Sequence, residues 1–314
     1  MPSPKLPLIV ILGPTAVGKT NVSIALAKKI DGEIISADSR LFYRGLDIGT
    51  AKPSQAEMEA IPHHLIDILD ADEEWSLAEF QNVANVAINA IHAKNKLPFL
   101  VGGSGQYIRA ITQGWLPPSV PANPALRHAL EQWGQAIGVE ALHAKLARID
   151  PQVASRMDQR NMRRIVRAFE VIYSSGRLFS EQSRQKTSPY SIIQIGLIRN
   201  RESLYQRIDK RLETMLSEGW ENEVMQLLAS GLSPVLPSMS AIGYAQFAQV
   251  AAGEMTRQDA IQQIKKKSRA FVRQQANWFK KDDPLIKWFD QDTIQGVDSI
   301  EVYIRNNLEE QNKL

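Results

Sequence analysis

From Leu6 to Leu12 the chain is almost entirely apolar and partly β-branched, a short run that predicts a buried strand. After a turn, Ile24, Leu26 and Ile30 fall at near-helical spacing with Ala25 and Ala27 between them, which predicts a helix over 21–30. A second buried strand is predicted over Glu33-Ile34-Ile35-Ser36-Ala37, ending at Asp38. A third runs from Leu97 to Val101 and ends at Gly102-Gly103-Ser104-Gly105. Between them, Leu77 to Ala93 has the pattern of a helix with Ser76 as cap and Glu79 in its first turn. Strands alternating with helices predict a parallel sheet. The strand pattern resumes at Ile192 to Ile198, and the remainder is expected to be helical: Ser203 to Glu218, closed by Gly219, and Arg257 to Lys281 after the capping box Thr256-x-x-Asp259.

From Trp115 to Asn123 the chain turns proline-rich, and from there to about Ser188 it is polar and helical in pattern without strand signals. The expected organisation is therefore an α/β core over residues 1–115 and 189–314, with a helical insertion over 116–188. No internal repeat is present.

The turn after the first strand reads Gly13-Pro14-Thr15-Ala16-Val17-Gly18-Lys19-Thr20 and fits G-x-x-x-x-G-K-[ST]. Strand, glycine-containing turn and helix are the context in which this pattern is a P-loop. Glycine lets backbone N–H groups turn inward around phosphate oxygens, and the helix N-terminus adds partial positive charge. Lys19 is expected to reach the phosphates, and the Thr20 hydroxyl to hold Mg²⁺. The predicted fold class is α/β, a P-loop NTPase-like (nucleotide-kinase-like) parallel sheet flanked by helices, with a helical insertion domain. In such sheets ligands bind at the carboxyl ends of the strands. The P-loop, Asp38 and the Gly102–Gly105 loop all fall at that edge.

The bulk composition narrows the class little. The chain has 314 residues, 44% hydrophobic and 23% charged, as in an ordinary soluble protein. No apolar run has the length of a membrane span. The Met1–Pro7 start leads straight into the first strand and does not read as a signal peptide. There is no cysteine, so disulfides and cysteine–zinc modules are excluded. The expected location is cytoplasmic. The net charge is only +3, but it is clustered. Residues 156–167 carry five arginines against one aspartate, and residues 257–281 carry eight basic residues against one aspartate. Two such clusters point to polyanion contact, although a solvated basic face has the same pattern.

On the helix from Arg257, a projection at 100° per residue gathers Ile261, Ile264, Phe271, Gln275, Trp278 and Phe279 on one side. It sets Lys266, Arg269, Arg273 and Lys280 on the other. Arg207 and Arg211 share a face of the preceding helix beside its stripe of Leu204, Ile208 and Leu212. Paired arginines suit a pyrophosphate through fork-like hydrogen bonds, and ion pairing to Glu202 or Glu213 is the alternative. Asp38 is open to three roles: general base, magnesium ligand of Walker-B type, or helix cap. Asp67 and Asp70 are rival Walker-B candidates. The adjacent His63 and His64 cannot both face one metal from regular structure and are read as structural. From the residues alone, two classes remain: a small-molecule kinase with a helical lid, and a transferase acting on nucleic acid.

A set of ordered motifs then separates these classes. After the P-loop come Ser36-Ala37-Asp38-Ser39, Asp47-Ile48-Gly49-Thr50-Ala51-Lys52-Pro53, His63-His64-Leu65-Ile66-Asp67 and Gly102-Gly103-Ser104-Gly105-Gln106-Tyr107. They are followed by Arg163-Arg164-x-x-Arg167-Ala168-x-Glu170-Val171, Ile242-Gly243-Tyr244 and Arg269-x-x-x-Arg273-Gln274-Gln275-x-x-Trp278. In this order, from about Ile9 to Phe279, the chain closely resembles the tRNA dimethylallyltransferases, also called tRNA isopentenyltransferases.

The resemblance implies transfer of a dimethylallyl group from dimethylallyl diphosphate to N6 of the adenosine just 3′ of a tRNA anticodon. Free adenylate as acceptor, as in adenylate isopentenyltransferases, is the nearest alternative in chemistry. The resemblance makes the P-loop, Gly13, Pro14, Thr15, Ala16, Val17, Gly18, Lys19 and Thr20, the grip on a diphosphate leaving group, with Arg207 as a further ligand and Mg²⁺ held by Thr20. It makes Asp38 the base for the N6 proton and places Ser104, where the family usually has threonine, at the diphosphate bridge. The catalytic set it implies is thus Asp38, Ser104, Lys19 and Arg207. Gln106 departs from the leucine commoner at that position. Implied contacts to the tRNA anticodon stem-loop are Asp38, Ser39, Arg40, Leu41, Ser104, Arg127, Arg163, Arg164, Arg167, Met239, Gly243, Tyr244, Arg269, Arg273, Gln274 and Gln275. The insertion would clamp the stem. Some eukaryotic relatives carry a C-terminal zinc finger; this cysteine-free chain is expected to be of the bacterial form and monomeric.

Overall fold

The computed structural model describes residues 5–182, 184–293 and 296–312. The chain forms two compact units, Met1–Thr112 with Pro189–Leu314, and Gln113–Ser188. In chain order the first unit starts with β1 (Pro7–Leu12), α1 (Lys19–Lys29), β2 (Gly32–Ser36), α2 (Gln55–Ala60) and β3 (His63–His64). It continues with α3 (Leu77–Ala93), β4 (Leu97–Gly102) and α4 (Gly105–Thr112). The second unit holds β5 (Trp115–Leu116), α5 (Pro124–Ile137), α6 (Val139–Ile149), α7 (Pro151–Ala154), α8 (Met162–Ser175), α9 (Phe179–Gln182) and β6 (Arg184–Gln185). The first unit then resumes with β7 (Ser191–Ile198), α10 (Arg201–Ser217), α11 (Trp220–Ala229) and a 3₁₀ turn at Ser238–Ser240. It ends with α12 (Tyr244–Ala251), α13 (Arg257–Trp278), β8 (Ile286–Asp290) and α14 (Gly296–Asn312).

Among the described residues, six strands form one parallel sheet in the order β3-β2-β4-β1-β7-β8. The period of two along β1 explains its unbroken apolar run. Leu8, Val10 and Leu12 enter one core with Ile35 and Leu100. Ile9 and Ile11 enter the other with Phe99, Ile193 and Ile195. β1 lies between β4 and β7, with Ile9 opposite Phe99 on one side and Ile193 on the other. This places the P-loop, Asp38 and the Gly103–Ser104 turn at neighbouring carboxyl ends. The helix over 77–93 forms as expected: the Ser76 hydroxyl accepts from the Glu79 N–H at 3.2 Å, and the Glu79 carboxylate accepts from the Ser76 N–H at 2.7 Å.

Three local expectations need correction. The segment after Ile198 is not all helical, because Ile286–Asp290 adds β8 to the edge of the sheet. Its single charge-broken run carries little strand signal alone, and its pairing is supplied by β7. The helix from Arg257 stops at Trp278, so Lys280 lies beyond it. The segment 116–188 is not without strands either. Trp115 and Leu116 pair antiparallel with Gln185 and Arg184, a ladder too short for any periodic signal. No helix among the described residues is long and apolar enough to cross a membrane.

The unit Gln113–Ser188 packs around Leu130, Leu142, Leu146, Ile165, Val166 and Phe169. Asn123 caps α5 by accepting from the Leu126 N–H at 3.0 Å, with Pro124 in the first turn. Glu170, which has no exposed surface, accepts from the Asn123 N–H at 2.7 Å, from Arg167 at 2.7 Å and from Arg127 at 3.2 Å. Arg127 and Arg167, implied by resemblance as RNA contacts, are thus held by a buried carboxylate of their own unit. Burial opposes ionisation of Glu170, but the bonds from Arg167, the Asn123 N–H and Arg127 outweigh it and hold its pKa below the ordinary value. A depressed carboxylate adds stability above the unfolded pKa, about 4.3, that is lost as pH falls through the folded value. Glu170→Gln is expected to destabilise this unit by about 1–3 kcal/mol at pH 7. Urea melts should find the gap between wild type and variant shrinking as the pH is lowered below about 4.

Candidate active site

The turn over 13–18 is shaped by where its carbonyls go. Lys19 Nζ donates to the Gly13 and Pro14 carbonyls at 3.1 and 2.9 Å. Arg207 Nε donates to the Ala16 carbonyl at 2.8 Å, and Arg199 Nε to the Val17 carbonyl at 3.0 Å. Three cations thus hold these carbonyls, while the Val17 N–H bonds the Pro14 carbonyl at 3.4 Å. Gly13 has a φ of +152°, and a Cβ there would stand 2.6 Å from the Leu197 carbonyl oxygen, so only glycine fits. Gly18, at a φ of 108°, opens α1. Burial lowers the Lys19 pKa to about 8, with the Asp38 carboxylate opposing that shift and Arg211 adding to it.

A cleft of roughly 620 Å³ opens in front of this turn. Thr15, Asp38, Arg40, Ser104 and Arg211 contribute polar lining, and Ile208, Leu212, Met215, Trp220, Ile264 and Phe271 an apolar wall. Asp38 follows β2; its Oδ1 accepts from the Arg40 N–H at 3.1 Å and its carbonyl from the Leu41 N–H at 3.2 Å. Ser104 Oγ accepts from the Ser39 N–H at 3.4 Å. The Arg40 guanidinium reaches away to the Pro237 carbonyl at 2.7 Å.

Gln275 of α13 ties the P-loop to the Gly103 turn. Its Oε1 accepts from the Thr15 N–H at 2.8 Å and its Nε2 donates to the Gly103 carbonyl at 3.2 Å, with the side chain buried.

A family model described as IPP transferase matches residues 41–282. The chain belongs to the IPP transferase family.

Among its relatives, the tRNA dimethylallyltransferase of Roseiflexus sp. (strain RS-1) is 49% identical over 276 residues, covering 88% of this chain and 90% of the relative. That of Halalkalibacterium halodurans is 41% identical over 312 residues, covering 98% and 99%. Among solved structures, the tRNA isopentenylpyrophosphate transferase of Bacillus halodurans superposes with a TM-score of 0.74 at 40% identity, covering 98% of this chain and 99% of the other. A eukaryotic dimethylallyltransferase, described as acting on tRNA, superposes with a TM-score of 0.79 at 25% identity, covering 97% and 80%.

Within this IPP transferase the expected residues divide. Thr15, Ala16, Asp38, Ser39, Arg40, Ser104, Gln274 and Gln275 line the cleft. Arg207 does not: it is exposed and braces the turn through Ala16, whereas Arg211, four residues on, lines the cleft and donates to the Thr50 carbonyl at 3.3 Å. Burial pulls the Arg211 pKa down while the Asp38 charge pulls it up. The helical spacing noted the pair but could not say which member turns inward. Met239 and Tyr244 are fully buried; Ser240, Ala241 and Ile242 between them form the lining. Gln275 is a buried strut, as its place on the apolar side of the helix projection implied, rather than a side chain presented to RNA. Arg269, projected opposite the core, turns against α10 and pairs with Asp209 at 2.7 Å, while Arg273 bonds the Tyr205 hydroxyl at 3.2 Å. Phe271, projected into the core, is 39% exposed and faces the cleft.

Asp67 forms an ion pair with Lys52, and Asp70 one with Arg44 at 2.7 Å, so neither rival Walker-B candidate belongs to the cleft. His64 pairs with buried Glu33 and His63 bonds the Ile61 carbonyl, both in structural roles. Glu223 and Trp220 had no motif to announce them; their roles arise only from what α11 touches.

Gln275→Leu keeps the bulk and removes both strut bonds. The expected result is a loss of about 1–3 kcal/mol in stability. It should come with weaker binding of inorganic pyrophosphate, both measurable by thermal unfolding with and without the anion.

Proposed function

We propose that this protein transfers a dimethylallyl group from dimethylallyl diphosphate to N6 of the adenosine 3′-adjacent to the anticodon of tRNA. The observation that carries this reading is the two-sided cleft: an anion-binding turn with inward cations at one end, an apolar wall alongside, and one carboxylate, Asp38, between them. An allylic diphosphate has the matching halves, a strongly anionic head and a five-carbon apolar tail.

In the proposed step N6 attacks C1 of the allyl group and the C1–O bond breaks. The bonding pair leaves on the diphosphate, and the N6 proton passes to the Asp38 carboxylate. Lys19 and Arg211 stabilise charge as it develops on the leaving oxygen. In this reading Ser104, which lines the cleft with Ser39, orients the diphosphate bridge through its hydroxyl. The apolar wall excludes water, which would otherwise hydrolyse the allyl donor. The Thr20 hydroxyl and diphosphate oxygens would hold Mg²⁺, and bound there the ion would neutralise the leaving group. A hydroxyl and phosphate oxygens are the hard donors that Mg²⁺ takes, with water completing its shell.

The acceptor base must leave the anticodon-loop stack to reach C1, at a cost of a few kcal/mol that contacts in the cleft offset. Exposed Arg163 and Arg164 at the start of α8, and Lys267 and Gln274 on α13, are the side chains we assign to the RNA.

Incubation with labelled dimethylallyl diphosphate and tRNA, then AMP, then with labelled ATP and no prenyl donor, separates the classes. Label in tRNA is the expected outcome; label only in AMP, or transfer from ATP, overturns it. Asp38→Ala is expected to lower the transfer rate about 10²–10⁴-fold while tRNA affinity stays within a few fold. An equal loss of binding in a filter assay would remove the base role. Arg163→Ala and Arg164→Ala should each reduce the salt slope of tRNA binding by about one. Arg269→Ala, whose charge Asp209 already offsets, should reduce it less.

A further inference from the structure

The turn over 46–52 contributes Gly49 and Thr50 to the lining of the cleft. No ladder or helix holds this turn. The Ala51 and Lys52 N–H groups bond the Ile48 and Asp47 carbonyls at 2.9 and 3.1 Å, and three others converge on one carboxylate from a distant helix. Glu223, in the first turn of α11, accepts from the N–H groups of Asp47 at 3.0 Å and Ile48 at 2.7 Å through Oε2, and from that of Gly49 at 3.3 Å through Oε1. A fourth donor, the hydroxyl of fully buried Tyr244, reaches Oε1 at 2.5 Å. Three main-chain donors and a phenol on one anion make the turn rigid, and the position of Glu223 near a helix N-terminus favours its charge.

The same helix supplies a wedge. A Cβ on Gly49 would lie 2.0 Å from Trp220 Nε1, and one on Gly243 1.9 Å from Trp220 Cζ2, so the indole fills the space that both glycines leave. Trp220 is 2% exposed and lines the cleft. One turn of α11 therefore sets both the turn before Thr50 and the segment entering α12.

The consequence for chemistry runs through Thr50. Its carbonyl, one residue beyond the clamped N–H of Gly49, accepts from Arg211 Nη2 at 3.3 Å. Arg211 comes from α10 and is the arginine that lines the cleft. We propose that Glu223 is a positioning residue for the transfer reaction: by clamping Asp47–Gly49 it fixes the Thr50 carbonyl, and through it the Arg211 guanidinium, against the diphosphate. The inference rests on the transferase reading above, but its binding arm does not need turnover.

The test is a double-mutant cycle read with inorganic pyrophosphate by calorimetry on the full chain. Glu223→Gln replaces one acceptor oxygen with a donor against the three N–H groups. It should weaken pyrophosphate binding about tenfold, and less than twofold in an Arg211→Gln background. In steady-state assays it should lower kcat/KM for dimethylallyl diphosphate by a similar factor, with tRNA affinity unchanged. Tyr244→Phe, which removes one of the four donors, should give about a threefold loss that also vanishes in Arg211→Gln. It carries the test if Glu223→Gln does not fold. An equal loss in both backgrounds, or no loss, overturns the proposal, since a purely structural clamp would act independently of Arg211. Absence of transfer by the wild type would instead overturn the transferase reading and leave the pyrophosphate cycle standing.

Discussion

Four carbonyls of the P-loop turn, from Gly13, Pro14, Ala16 and Val17, are held by Lys19, Arg207 and Arg199, and the site depends on that arrangement. The cations thus orient the turn as well as adding charge to it. Their positive field also makes the pocket expensive to leave without an anion, which is the condition for binding a leaving group more strongly as its charge grows.

Two helices carry this order across the cleft. α13 sends Gln275 between the P-loop and the Gly103 turn, so the two loops share one amide as their spacer. α11 holds the turn over 46–52 through Glu223 and Trp220. In both cases loop backbone donors are satisfied by a side chain from a distant segment. This meets the requirement that partly buried polar groups be paired and gives the loops a fixed shape without regular structure. It also explains Gly49 and Gly243, far apart in the chain, by a single indole between them.

Much of this was legible beforehand because it is local. The strands β1, β2, β4 and β7 announce themselves as short apolar runs, and α3 by its capping box, since each signal lies within one segment. The P-loop is equally local. What could not be read concerns which way a residue turns. Arg207 and Arg211 have the same spacing relation to their helix, yet one braces the outside of the turn and the other enters the cleft. β8 was missed because an edge strand of five residues owes its form to its neighbour. Arg127 and Arg167, read as basic surface, are largely engaged by Glu170, a pairing invisible without the packing of α5 on α8.

By itself, then, the sequence determined the parallel α/β core, the anion-binding turn and the carboxylate at the end of β2. These rest on period, glycine placement and capping, all of which act over a few residues. Only the tertiary structure decided that Arg211 lines the cleft, that Gln275 is a strut, and that Glu223 holds the turn over 46–52. Those roles depend on groups meeting across 161 to 260 positions of chain, from Thr50–Arg211 to Thr15–Gln275. No local pattern encodes such a meeting, because it is chosen by the packing of the whole core.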